Sequence, residues 1–92
     1  MYDRFEWDEA NNALNIQRHG IDFVDVSEMF DYPMVTFLDQ RADYGEDRWV
    51  GIGHLGPRLA VVIFTETQDS VIRIISARKA TIREEAIYRD QI

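Results

Sequence analysis

No cysteine occurs in this 92-residue chain, so disulfides, thiolate metal sites and cysteine nucleophiles are excluded and nothing ties it to an oxidising compartment. Long apolar runs are missing too. None approaches the ~20 residues of a membrane span, and the N-terminus MYDRFEWDEANN is polar and acidic, unlike a secretory leader. A cytoplasmic location without membrane attachment is expected. The familiar motifs of phosphate, acyl and metal chemistry are also absent: no glycine-rich phosphate loop, no Gly-x-Ser-x-Gly, no His-Glu-x-x-His and no calcium loop. The two histidines, His19 and His54, fall on different predicted elements, so neither a metal site nor a cofactor is expected.

Positive charge is scarce and unevenly spread. Ten Lys and Arg face seventeen Asp and Glu, a net charge of −7, and residues 1–47 hold twelve acids against three bases. Residues 71–92 reverse the balance, with five bases and three acids. Long-range repulsion of a polyanion is screened beyond ~10 Å, so a local basic surface at the C-terminal end stays usable, while the acidic half suits a basic protein partner. Apolar residues at 46% and charged residues at 29% are ordinary globular values, and the length fits one domain spanning residues 1–92.

Periodicity predicts a short strand over residues 2–7 around Phe5 and Trp7. Asp8 is a suitable N-cap, and a helix should run to Gly20 with Ala10, Leu14, Ala13 and Gln17 on its inner face. A second helix is expected from Asp22 to Phe30, its stripe formed by Phe23, Val26, Met29 and Phe30, ending before Pro33. Strands are predicted at 34–38, 48–55, 58–66 and 70–78, the last three joined as an antiparallel meander with the middle one central. Thr81 and Glu84 form a capping box for a last helix of about ten residues. The order β-α-α-β-β-β-β-α describes an α+β domain, with helices grouped on one face of an antiparallel sheet.

The stretch RIISARKATIREEAIY at 73–88 carries the chemistry. Strict alternation puts Arg78 on one strand face with Ile72, Ile74 and Ser76, and Val71, Arg73, Ile75 and Ala77 on the other. Lys79 opens the turn, and Glu84 and Tyr88 share a helix face with Arg83 beside them. Convergence of Arg78, Lys79, Arg83, Glu84 and Tyr88 would suit phosphodiester cleavage without a metal. Arginine offers a fork to phosphate and stabilises growing charge, and Glu84 or Tyr88 would move protons to and from the ribose 2′-hydroxyl and the leaving oxygen. The plainer alternative is a solvated corner in which Glu84 only caps Thr81.

Three segments resemble one family. FEWDEANNALNIQRHGIDF contains Trp7, Asp8, Asn15, Arg18, His19, Gly20, Ile21 and Phe23 in the pattern of the BrnT-type ribonuclease toxins, and YGEDRWVGIG at 44–53 and residues 73–88 follow in the same order. The resemblance implies a RelE-like α+β fold and a type II toxin that cleaves RNA without a metal. It also implies a BrnA-type antitoxin, a ribbon-helix-helix protein through which operator DNA is bound. His19, Arg48 and Arg83 become expected RNA contacts, beside Arg78, Lys79, Glu84 and Tyr88 as catalytic residues. Asn11 and Arg18 stand where relatives usually carry lysine, and Glu85 and Ala86 where they often carry arginine. A second class of function, a protein-binding module that keeps the antitoxin interface without useful catalysis, fits those losses and the acidic first half.

Overall fold

The computed structural model describes residues 4–67 and 69–92. In chain order it holds β1 (Arg4–Glu6), α1 (Glu9–His19), α2 (Phe23–Val26), a 3-10 turn (Ser27–Asp31), β2 (Val35–Leu38), β3 (Trp49–Leu55), β4 (Arg58–Glu66), β5 (Val71–Lys79) and α3 (Ile82–Gln91). Residues 2 and 3 of the expected first strand lie outside the described residues. The five strands form one sheet in the order β1-β5-β4-β3-β2. Its neighbours are antiparallel, as expected, except that β1 runs parallel to β5, pairing Phe5 with Ile72. The expected α+β class and element order hold, with β4 and β5 at the centre.

Helix ends follow from local chemistry. The Asp8 carboxylate accepts the N–H groups of Ala10 and Asn11, and Gly20 closes α1 at φ +68°, a conformation that a side chain would oppose. The second helix divides in two. Asp22 caps α2 through Val24 N–H, four residues of α-helix follow, and the tighter 3-10 turn carries the stripe to Asp31. Tyr32 is extended before Pro33, as the proline ring requires. Phe23, Val26 and Met29 are fully buried, so the predicted stripe is the core stripe.

α1 departs from the expectation. Ala10, Ala13, Leu14 and Gln17 are exposed, and the buried residues are Asn12 and Asn15. Their amides tie the helix to backbone: Phe23 N–H donates to Asn12 Oδ1 at 2.9 Å, Ala77 N–H to Asn15 Oδ1 at 3.0 Å, and Asn15 Nδ2 to the Ile21 carbonyl at 2.9 Å. Polar attachment replaces apolar packing because each amide answers a buried backbone group that would otherwise lack a partner.

The helices also cover both faces of the sheet rather than one. Phe23, Val26 and Met29 pack with Ala60, Val62, Phe64, Ile72, Ile74 and Ala77 on one side, where Phe5, Trp7, Phe30 and Trp49 complete the cluster. On the other side Tyr88 and Ile87 of α3 pack with Val50, Ile52, Leu59 and Val61. On the Phe23 side, Gly53 lets β3 pass close to Met34, since a Cβ there would stand 2.6 Å from Met34 Cγ.

Candidate functional site at the α3 face

Strict alternation along β5 fails at Ile75. Ser76 pairs with Ile63 but Ile74 pairs with the next residue, Phe64, so Ile75 is left over in a β-bulge. The side of the sheet each later residue faces is thereby reversed. Ala77, opposite Val62, joins Ile72 and Ile74 in the Phe23 cluster, whereas Arg78, opposite Val61, emerges on the α3 face. The bulge delivers Arg78 to the start of α3.

There Arg78 meets Glu84 in a two-pronged ion pair, Nη1 to Oε1 and Nη2 to Oε2, each 2.8 Å, while Nη1 also approaches the Lys79 carbonyl at 3.3 Å. Glu84 Oε1 accepts Thr81 N–H at 2.8 Å and Glu84 N–H donates to Thr81 Oγ1 at 3.2 Å, completing the predicted capping box. Hydrogen bonding from Arg78 is the main cause that holds the Glu84 carboxyl at about 2. The same pair raises the Arg78 guanidinium above its ordinary value, and the nearby Arg41 charge acts in the opposite direction. A carboxylate so stabilised is a poor proton acceptor and a good clamp.

The remaining expected residues do not converge on this pair. Tyr88 is buried beneath α3, its hydroxyl donating to the Pro33 carbonyl at 3.3 Å and its ring meeting His54 edge to face with centroids 5.4 Å apart. Arg83 is exposed, with no acid in ion-pair range among the described residues. Lys79 is exposed at the end of β5 and, with Tyr88, lines a depression beside the β3–β4 hairpin instead of facing Glu84. Arg48 lies at the other end of the α3 face, stacked 4.1 Å above the Tyr44 ring and 3.5 Å from Glu46 Oε2. That approach lacks hydrogen-bond geometry, and Arg48 Nε has no hydrogen-bond partner. His19, in the last turn of α1, lies on the opposite side of the sheet, near Ile75 and Ser76.

Residues 39–47, polar and expected as a loop, do form the loop between β2 and β3, but sequence reasoning missed the fixed carboxylate within it. Asp39, whose side chain is 1% exposed, accepts Arg41 Nε and Nη2 at 2.8 Å each and lies 3.5 Å from the Tyr44 hydroxyl. Hydrogen bonding from Arg41 holds the Asp39 carboxyl at about 2, against the cost of burying it. The polar composition of residues 39–47 announces a loop and conceals this fixed carboxylate. Among the described residues, no three His, Asp or Glu side chains are grouped to hold a metal, and no helix is long and apolar enough to cross a membrane.

A small α+β domain with a mixed five-stranded sheet and cationic side chains gathered around its last helix defines the class. Residues 7–84 match the family model of the ribonuclease toxin BrnT of type II toxin–antitoxin systems, and the chain belongs to that family. It is similar to the crystal structure of the Brucella abortus ribonuclease toxin BrnT, with 32% identity and a TM-score of 0.69, over 86% of this chain and 99% of that one. A search of curated proteins finds no match. The chain is thus a toxin-family member, and an antitoxin partner belongs to a system of this type.

Proposed function

We propose that the protein is an endoribonuclease toxin that works without a metal and is neutralised by a BrnA-type ribbon-helix-helix antitoxin in the cytoplasm. The observation that carries this reading is the delivery of Arg78 by a strand bulge to the α3 face, beside Lys79 and the N-terminus of α3, in a chain of the ribonuclease toxin family. Arg78 and Lys79 contact the scissile phosphate of RNA and stabilise the charge that develops on it. Glu84, ionised and clamped, positions the Arg78 fork. Of the two expected proton carriers, Tyr88 keeps a hydroxyl whose proton Glu84 lacks. Arg48 and Arg83 extend the cationic surface on the α3 face, and His19 contacts RNA on the opposite side of the sheet.

Induced expression in a bacterial host, beside Arg78→Ala at equal soluble yield, tests this function. Growth arrest with fragmented RNA in the wild type and neither in the variant is expected, and a toxic Arg78→Ala variant refutes the role given to Arg78. A second reading, a protein-binding module without useful catalysis, has its own support. Arg41, Arg48, Arg73, Arg78 and Arg89 each lie within ion-pair distance of an acid, which leaves less free positive charge for RNA. A wild-type chain that leaves growth and RNA intact would select it.

A further inference from the structure

We propose that the depression between the β3–β4 hairpin and the C-terminal half of α3 is a phosphodiester-binding site for RNA, in which Arg58 and Lys79 hold the phosphate and His54 takes the proton of the 2′-hydroxyl. This assignment rests on the ribonuclease reading: it keeps Lys79 as a phosphate contact, adds His54 and Arg58, and gives the proton transfers to His54 and Lys79 in place of Tyr88.

The depression, about 390 Å3, is lined by His54, Arg58, Lys79, Tyr88 and Arg89, with Glu85 as its one acid. In a chain with net charge −7, three of the ten Lys and Arg residues meet here. Their pairing state differs from that of three arginines elsewhere in the chain. Arg41, Arg73 and Arg78 each have an acid within 3.0 Å, whereas among the described residues neither Arg58 nor Lys79 has one in ion-pair range. Glu85 engages Arg89 only at 3.7 Å. Two exposed, unpaired cations lining a common cavity are suited to bind an anion, because no existing ion pair has to be broken first.

Rigid elements hold the groups. Arg58 opens β4 opposite Leu55, across a turn whose Gly56 has φ +61°. Lys79 ends β5 opposite Ala60, and Ala80 N–H donates to the Leu59 carbonyl at 3.0 Å, continuing the ladder to the start of α3. His54, opposite Leu59, faces α3, and its ring stands at 88° to that of Tyr88. Tyr88 is itself fixed by burial and by the Pro33 carbonyl, so the imidazole rests against an immobile wall.

The cleavage step balances without a metal. The neutral His54 imidazole accepts the 2′-hydroxyl proton as O2′ forms a bond to phosphorus. The P–O5′ bond breaks, and the departing oxygen takes a proton from the Lys79 ammonium, leaving a 2′,3′-cyclic phosphate and a 5′-hydroxyl. Water then returns a proton to Lys79 and removes one from His54.

The test uses the full chain and two RNA probes of one sequence: a 2′-O-methyl oligonucleotide that cannot be cleaved, followed by fluorescence anisotropy, and the unmodified form, followed by product analysis. Arg58→Gln and Lys79→Gln are each expected to weaken binding of the 2′-O-methyl probe about tenfold and to lower the salt slope by about 0.7. His54→Gln should keep affinity within about twofold and lose about 100-fold or more in kcat. Arg73→Gln, whose guanidinium pairs with Glu6 beside β1, serves as the control and should match the wild type. All four side chains are exposed, and circular dichroism checks that each variant folds. If Arg58→Gln and Lys79→Gln bind as the wild type does while Arg78→Ala does not, the depression is not the RNA site, Lys79 loses its role as a phosphate contact, and the ribonuclease reading stands on Arg78. If the wild type neither binds nor cleaves RNA, that reading falls and this assignment with it, even should inorganic phosphate shift the amide resonances of residues 54–59.

Discussion

On the α1 side of the sheet, Phe23, Val26 and Met29 are sealed against β4 and β5 and ringed by Phe5, Trp7, Phe30 and Trp49, while two asparagines bind helix α1 to backbone. The α3 side has a smaller cluster around Tyr88, and its helix is anchored at its first turn by the Arg78–Glu84 pair and the Thr81 cap. One face spends its side chains on burial, the other on charge. The difference teaches why the cationic groups are found where they are. Charged groups are costly to bury, so a domain of this size keeps them on the face where one short helix leaves the sheet partly open. The aromatic face then supplies the rigidity against which a charged surface can be held.

If that division is right, truncation on the α1 side must cost far more than any change on the α3 side. Phe23, fully buried and edge-on to Trp7 with centroids 6.1 Å apart, is the sharpest place to try. Phe23→Ala should cost about 3–5 kcal/mol, a large part of the stability of a domain this small. Urea unfolding followed by circular dichroism reads this directly, and a loss under about 1.5 kcal/mol would break the comparison.

Asn15→Ala is expected to come next. It strands the Ala77 N–H and the Ile21 carbonyl in a buried place, at about 1–3 kcal/mol for a group left unsatisfied. The expected loss of about 2–3 kcal/mol should be accompanied by faster hydrogen exchange at the Ala77 amide. Unchanged protection there would mean that water replaces the side chain at no cost.

These two residues also show how far the sequence is legible. Phe23 is legible from the 3 and 4 spacing of its stripe, as the Thr81–Glu84 cap and both ends of β4 are from local pattern alone. Asn15 is legible only as a motif letter, because periodicity weighs apolar residues and an amide turned inward looks like an exposed one. The bulge at Ile75 is hidden for a related reason: it is set by the partner strand, and β5 read alone alternates without interruption. The parallel docking of β1 on β5 joins residues 67 positions apart, beyond the reach of local pattern. For the candidate site, type and neighbourhood are legible at Arg78 and Glu84, which are six residues apart. His54, Arg58 and Arg89 come from a strand, a hairpin and a helix end, and only the fold brings them to one depression.

On the α3 side, Glu84→Gln keeps the capping geometry while removing the charge. The folded carboxyl lies at about 2, below its ordinary value of 4.5, so its contribution is complete above pH 5 and is lost as the pH falls toward 2. Arg78 is 42% exposed, and solvent screening reduces the stabilisation to about 1–2 kcal/mol. Wild type and variant should therefore differ in stability at pH 7 and converge near pH 2. Asp39 also lies at about 2 and titrates in the same window, but it is common to both chains and cancels in the difference. A gap that persists at pH 2 would assign the effect to packing rather than charge.

The smallest effect is expected where the two faces meet at the β1 edge. Arg73 Nη1 lies 3.0 Å from Glu6 Oε2, a separation close to that of the Arg78–Glu84 pair, yet both side chains are 47% exposed. Distance alone would predict similar contributions from the two pairs. Exposure predicts otherwise, because water and salt screen Arg73–Glu6 from both sides, whereas Glu84 is 20% exposed and also holds the Thr81 N–H. Glu6→Gln should change stability by less than about 0.5 kcal/mol at 0.15 M salt, with little change between pH 7 and pH 3. A Glu6→Gln loss equal to that of Glu84→Gln would show that the α3 anchor draws nothing from its shielded position, and the contrast between a packed face and a charge-latched one would reduce to a count of ion pairs.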